Sequence, residues 1–298
     1  MDIKQTYKSL DTEEHIDIYF NRPIGYVWAL CFKKLHVHPN VVTILSIFLG
    51  VAGGIMFYWP DLTHTLIGIF LFAWANHFDS ADGQLARMTG QKTRWGRILD
   101  GMAGDFWFIA VYVAISLRLM PTWGVWIWVL CFVAGVFFHG YQTTLSDYYR
   151  NIHLYFLKGK SGSELDSSAQ QKAFFDTLSW KTDFFWKLFT AGYTRYTHNQ
   201  ERMTPWFQKF YRVVRQRYGD EMPQSLRDEF RAASLPLMKY ANMLTFNIRA
   251  FALYISMLVG EPWLYPMFEV VVMTSLFVYT RHRHERMSKM FYEKYLTA

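Results

Sequence analysis

Cysteine is nearly absent from this sequence of 298 residues: Cys31 and Cys131 are the two, and they fall in different apolar segments. That argues against a disulfide framework and against a cysteine zinc site. No cleavable signal peptide is expected from the opening MDIKQTYKSLDTEEHIDIYF, which is polar and mixes acids with bases. Positive charge is scarce in three short connectors. Residues 60–63, 118–122 and 260–262 hold one Lys or Arg between them, Arg118.

What is present is apolar and aromatic. The chain is 52% hydrophobic and 19% aromatic with a formal charge of +7, yet its mean hydropathy is only +0.01. The average hides a segregation into apolar blocks of about 17–22 residues, the helix length that spans a hydrocarbon core. These blocks predict six transmembrane helices, near 41–59, 64–78, 101–118, 123–143, 243–260 and 262–280. The expected fold class is therefore all-α: a polytopic membrane protein with an N-terminal juxtamembrane amphipathic helix and a helical cytoplasmic insertion. Residues 1–40 form the tail and that interfacial helix, which covers 23–36, opens at Pro23 and sets Lys33 and Lys34 at the headgroups. Residues 41–144 hold spans one to four, 145–242 the insertion, and 243–298 the last two spans with a basic tail.

Lys and Arg crowd into the N-terminus, the connector after the second span, the insertion and the C-terminal tail. By the positive-inside rule both termini and that connector face the cytoplasm, in a bacterial cytoplasmic membrane or an endoplasmic reticulum. Trp123, Trp126 and Trp128 open the fourth span as an interface belt. Gly50 and Gly54 share a face of the first span, which predicts close packing within the chain, with a homodimer as the alternative. In the insertion, Phe174, Phe175, Phe184, Phe185, Trp186, Phe189 and Tyr193 recur at helical spacing. A second helix there stops at Gly219, and a third is capped by Ser225 with Glu229 in its first turns. A cap on the membrane surface, a dimer partner and a lid over an active site are the uses open to this insertion.

The chemistry gathers between His77 and Asp105. Asp79 and Asp82 stand three apart and so share a helix face. Two such carboxylates repel unless a cation sits between them, and Mg²⁺, with oxygen ligands and retained waters, suits the pair. Gly83 and Ala86 leave room for a ligand to approach the backbone, Arg87 suits a phosphate or carboxylate, and Asp100 is expected to open the next helix.

The run Asp79-x-x-Asp82-Gly83-x-x-Ala86-Arg87, then eight residues, then Gly96-x-x-x-Asp100 resembles the signature of the CDP-alcohol phosphotransferase family. HPNVVT after an amphipathic helix, the six spans and the cytoplasmic termini extend the resemblance over most of the chain. It implies transfer of a phospho-group from a CDP-linked donor to an alcohol acceptor, release of CMP, and a Mg²⁺ or Mn²⁺ cofactor. Asp79, Asp82, Asp100 and Asp105 would hold metal; Gly83, Ala86, Arg87 and Gly96 would cradle the donor; Asp105 would be the general base. One departure stands out: the family's last acid belongs at Gly104, and this chain has Asp105 instead. Five residues past Asp100 turn a side chain about 140° around the helix, so Asp105 reaches the site only through a late helix start or a π-bulge near Gly101 and Gly104.

CDP-diacylglycerol is the expected donor. A CDP-choline or CDP-ethanolamine donor with a lipid acceptor is the alternative, and a non-catalytic divalent-cation-binding membrane protein or transporter is the competing class. Membrane lipids are expected partners and nucleic acid is not. For an acceptor or phosphate, Arg249 inside the fifth span is the main candidate, with Asn247, His139 and Gln142 near it in depth. Glu269 reads as a packing residue, and His282 and His284 as part of a solvated basic tail.

Overall fold

The computed structural model describes residues 9–219 and 221–297, and among them no strand occurs. The first eight residues of the predicted tail lie outside the described residues. In chain order the helices are α1 (Arg22–Lys34), α2 (Pro39–Met56), α3 (Leu62–Thr89), α4 (Arg94–Trp123), α5 (Val125–Phe132) and α6 (Gly140–Lys158). Then come α7 (Ser168–Thr177), α8 (Phe184–Met203), α9 (Pro205–Tyr218), α10 (Gln224–Met243), α11 (Phe246–Leu258), α12 (Leu264–Phe268) and α13 (Thr274–Thr297). π-helical turns at Asp17–Asn21, Val133–His139 and Glu269–Met273 precede α1, join α5 to α6, and join α12 to α13. Among the described residues three helices are long and apolar enough to cross a membrane: Pro39–Met56, Trp95–Trp123 and the continuous Val125–Lys158. The chain divides into two compact units, one running up to Gly140 and including Phe246–Met273, the other Tyr141–Thr245 with the chain from Thr274 on.

Helix starts in the first unit follow from their caps. α2 opens on Pro39, whose missing N–H costs nothing there, while His38 Nδ1 accepts from Asn40 N at 3.2 Å. α3 is capped by Asp61, which accepts from His64 N at 3.0 Å, and stops at Gly90 with φ 71°. Its 28 residues reach about 42 Å, well past a hydrocarbon core of about 30 Å. The predicted end at 78 was set by the last apolar residue, whereas the helix continues because nothing in SADGQLARMT breaks it before Gly90. α4 is capped by Thr93, whose hydroxyl accepts from Gly96 N at 2.9 Å, so Asp100 lies inside the helix and does not open it. From there α4 runs without a late start or π-bulge at Gly101 or Gly104.

Packing in this unit is tight where glycines allow it. A Cβ on Gly50 would fall 2.2 Å from the Trp107 ring, and one on Gly54 would fall 2.9 Å from Ala110 Cβ. The Gly50–Gly54 face of α2 is thus used within the chain, against α4. Gly50→Ala is expected to destabilise the protein by about 1–3 kcal/mol through overpacking, read as a lower unfolding temperature in detergent. An unchanged midpoint would mean that this face packs elsewhere. Deeper in, Phe72 meets the Phe108 ring edge-on at 5.5 Å and stacks on Phe246 at 5.7 Å.

The second unit has an aromatic core, with Tyr149, Tyr155, Phe156, Phe207, Phe210 and Phe230 all buried. Phe156 and Phe230 stack at 3.8 Å. The helix predicted to stop at Gly219 is α9, and Gly219 has φ 61°. α10 starts one residue before the expected cap: Pro223 fixes the entry and Ser225 lies in the first turn. The insertion's aromatic stretch is not one helix, since residues 178–183 separate α7 from α8. His284 corrects the solvated-tail expectation, being buried and stacked on Tyr149 at 3.6 Å, and burial holds its imidazole down at about 3. His282, on the other side of α13, is exposed.

Candidate functional site

Two helix ends build the site. Asp79 and Asp82 lie in the last three turns of α3, and Asp100 in the second turn of α4. One carboxylate oxygen from each falls within 4.8 Å of the others. Asp82 is 3% exposed and accepts the Thr43 hydroxyl of α2, a contact between helices that no local spacing announces. Burial pushes the Asp82 carboxyl well above the ordinary range, and the charges of Asp100 and Asp79 add to the shift. A buried acid crowded by two others is the environment that a hard cation relieves, because the cation turns each repulsion into a shared attraction. Opposite ligands of a Mg²⁺ ion stand about 4 Å apart, so oxygens within 4.8 Å of one another need close by under about an ångström to share one such ion.

Beside the acids lies a cationic arm. Arg87 folds over Gly83, with its guanidinium nitrogens 3.4 Å from where a Gly83 Cβ would be. Its Nε and Nη2 are buried without a hydrogen-bond partner. Burial, with Arg22 next, holds this guanidinium at about 10. A desolvated fork of donors beside a cation site is what a diphosphate satisfies. Gly96 is needed where it stands: a Cβ there would fall 2.7 Å from Asn40 Oδ1 at the start of α2. Ala86 is half-buried on α3. An N-terminal brace completes the wall. Arg22 makes two 3.0 Å bonds to Glu13, and its carbonyl accepts from Gln84 Nε2 at 3.0 Å. Thr43, Asn40, Glu13, Arg22 and Gln84 were missed from sequence. HPNVVT held the first two in plain view, but their partners are distant in the chain.

Asp105 does not join the three acids. The helix around it is regular, so the distortion its reach required is absent. Gly104 stands at the expected position, and a Cβ there would meet nothing within 4 Å. Asp105 shares an α4 face with Phe108 and Tyr112 instead. Those two touch His139, at 4.5 Å between ring centroids and 3.4 Å from the Tyr112 hydroxyl.

The acceptor candidates fall into separate groups. Arg249 is fully buried, ion-paired with Glu269, and donates to His139 Nδ1 at 3.0 Å. The same Nδ1 lies 3.4 Å from Glu269 Oε1. Tyr265 donates to Glu269 at 2.7 Å. Asn247 accepts from Asn21 at 3.3 Å and donates to Glu14 and Asp17 at 3.1 and 3.0 Å. Gln142, in the second unit, donates to Thr274 at 3.1 Å.

This geometry meets an independent finding: the sequence pattern named CDP-alcohol phosphatidyltransferase matches residues 36–167, which contain all three acids, Arg87 and Gly96. Residues 36–167 match the CDP-alcohol phosphatidyltransferase family model. The chain is 27% identical over 105 residues to the bifunctional IPC transferase and DIPP synthase of Aquifex aeolicus (strain VF5), covering 35% of this chain and 24% of that protein. It is 36% identical over 75 residues to an uncharacterized protein of the same organism, covering 25% of this chain and 37% of that one. The chain thus spans a quarter to somewhat over a third of the length of these curated relatives. No solved structure matches it. Within the matched segment, α3 and α4 supply the three acids and Arg87, and α2 brings Thr43 against Asp82.

Proposed function

We propose that this chain is a membrane-bound transferase that moves a substituted phosphate group from a CDP-linked donor to an alcohol, releasing CMP. The observation that carries the reading is the pairing of three clustered carboxylates with the two buried, unpartnered guanidinium nitrogens of Arg87, Nε and Nη2, inside a segment matching a CDP-alcohol phosphatidyltransferase pattern. CDP-diacylglycerol is the donor we favour, since acyl chains suit a site at the end of apolar helices. Six spans with cytoplasmic termini, as the charge distribution indicates, would open that site to a soluble nucleotide.

In the reaction, the acceptor hydroxyl attacks the phosphorus that carries the donor's lipid alcohol. A new P–O bond forms, the P–O bond to CMP breaks, and the bridging oxygen leaves with CMP. Asp79, Asp82 and Asp100 would hold Mg²⁺ or Mn²⁺, which supplies charge neutralisation on the diphosphate when bound. Arg87, lying over Gly83, orients the diphosphate, and Gly96 keeps Asn40 close enough to wall the nucleotide side. Asp105 would take the acceptor proton from an acceptor that enters along the Phe108 and Tyr112 face of α4, since the regular helix turns it away from the three acids. Arg249, already committed to Glu269 and His139, would hold an acceptor phosphate only by exchanging one of those partners.

The test is CMP release from a panel of CDP-linked donors and alcohols by the purified protein. Asp105→Asn is expected to lower release by about 10²–10⁴-fold if it is the base. Gly104→Asp, which has room for the side chain, separates the alternatives. Recovery of activity in the Gly104→Asp/Asp105→Asn double variant supports a proton acceptor in this turn of α4, and full activity of Asp105→Asn alone sinks the Asp105 assignment.

A further inference from the structure

The hairpin of α7 and α8 in the second unit ends in an uncovered aromatic tip. Trp180 in the turn is 50% exposed, and Phe184 and Phe185 at the start of α8 are 51% and 70% exposed. Trp186 and Leu188 are exposed beside them. The apolar character stops there: further along α8 the exposed positions are Gly192, Arg195, His198 and Arg202. Segregation along the helix axis differs from the stripe of a core-facing helix, which repeats along the whole length.

The charges at this tip are arranged one way. Asp183 is spent inside the turn, accepting from Ser179 N at 3.1 Å and from the Thr182 hydroxyl at 2.7 Å. Asp176 is paired with Lys172 at 3.0 Å. Lys187 donates to the Leu178 carbonyl at 2.6 Å, with its ammonium 4.6 Å from the centre of the Phe175 ring and 5.4 Å from that of Trp180. Lys181 is exposed in the turn. The tip therefore offers its rings and the Lys181 ammonium outward, with Lys187 held against Phe175 and Trp180 and the Asp183 carboxylate tied up by turn hydrogen bonds.

Trp and Phe interleaved with Lys suit the boundary between hydrocarbon and headgroups, where rings bury their faces and ammonium groups meet lipid phosphates. Among the described residues three helices are long and apolar enough to cross a membrane, so this protein meets a bilayer, and the exposed Lys181 complements anionic lipid. We propose that the α7–α8 tip is an interfacial anchor. It inserts Trp180, Phe184, Phe185 and Trp186 into the headgroup region of the bilayer, and Lys181 and Lys187 favour anionic lipid. The anchor is independent of the transferase reading.

Depth measurement in proteoliposomes tests it. The full chain carries Cys31→Ser with a nitroxide at Phe185→Cys, or at His198→Cys as the reference, in phosphatidylcholine with and without phosphatidylglycerol. A second probe at Phe184→Cys guards against a local defect at one site. The expected result is a several-fold higher ratio of oxygen to nickel-chelate accessibility at 184 and 185 than at 198, rising with phosphatidylglycerol. Equal ratios at the tip and at 198 would overturn the proposal. So would spin–spin broadening at 185 that disappears on dilution with unlabelled protein, which would give the tip to a second copy of the chain.

Discussion

Asp82→Asn is expected to abolish CMP release, by about 10³-fold or more, while leaving the metal-free protein at least as stable as the parent. The two halves of that result have one cause. Asp82 is buried, and its carboxylate faces Asp79 and Asp100 at close range. In the absence of a cation this charge is a cost to the fold, so an isosteric amide that still bonds Thr43 relieves it. With Mg²⁺ or Mn²⁺ present the sign reverses. A ligand at 100 times its Kd stabilises the native state by about 2.7 kcal/mol, and the variant loses that gain along with the catalytic charge neutralisation. Differential scanning calorimetry with and without metal, beside the CMP assay, separates the halves. A variant that keeps both its activity and its metal-induced stabilisation would remove Asp82 from the metal site.

How much of this was visible in the sequence depends on distance along the chain. Asp79, Asp82, Arg87, Gly96 and Asp100 were legible because their spacing is local and the helix turns spacing into a shared face. Asp82's partner was not, because Thr43 arrives from α2, and hydropathy treats that segment as an apolar block with a polar start. The same holds for Glu13 and Arg22, which brace Gln84 from a segment that reads only as a tail. Apolar blocks located α2 and α4 but misjudged their ends, since α3 and α4 continue through polar residues as far as their caps allow. Asp105 was the point where pattern and geometry were expected to conflict. The regular α4 leaves the conflict in place and directs Asp105 toward the face of Phe108 and Tyr112.

Removing one partner of the Arg249–Glu269 pair should produce the largest loss of stability in the chain. Arg249 and Glu269 are both fully buried, and His139, Tyr112 and Tyr265 complete a polar cluster around them. π-helical turns deliver two of its members, His139 at the end of Val133–His139 and Glu269 at the start of Glu269–Met273. Glu269→Gln keeps the shape but leaves the guanidinium without its counter-charge, at a cost of about 3–5 kcal/mol. Gln retains an acceptor for Tyr265, so the lost charge, rather than a lost hydrogen bond, should dominate. The double variant Arg249→Met/Glu269→Leu removes both charges together and is expected to recover most of that loss, because a fully apolar replacement no longer has to bury an ion. Unfolding of the three proteins in detergent measures the coupling. If the double variant is as unstable as the sum of its single variants, the pair is not energetically linked. Recovery of stability without recovery of CMP release would instead show that the cluster serves the reaction as well as the fold.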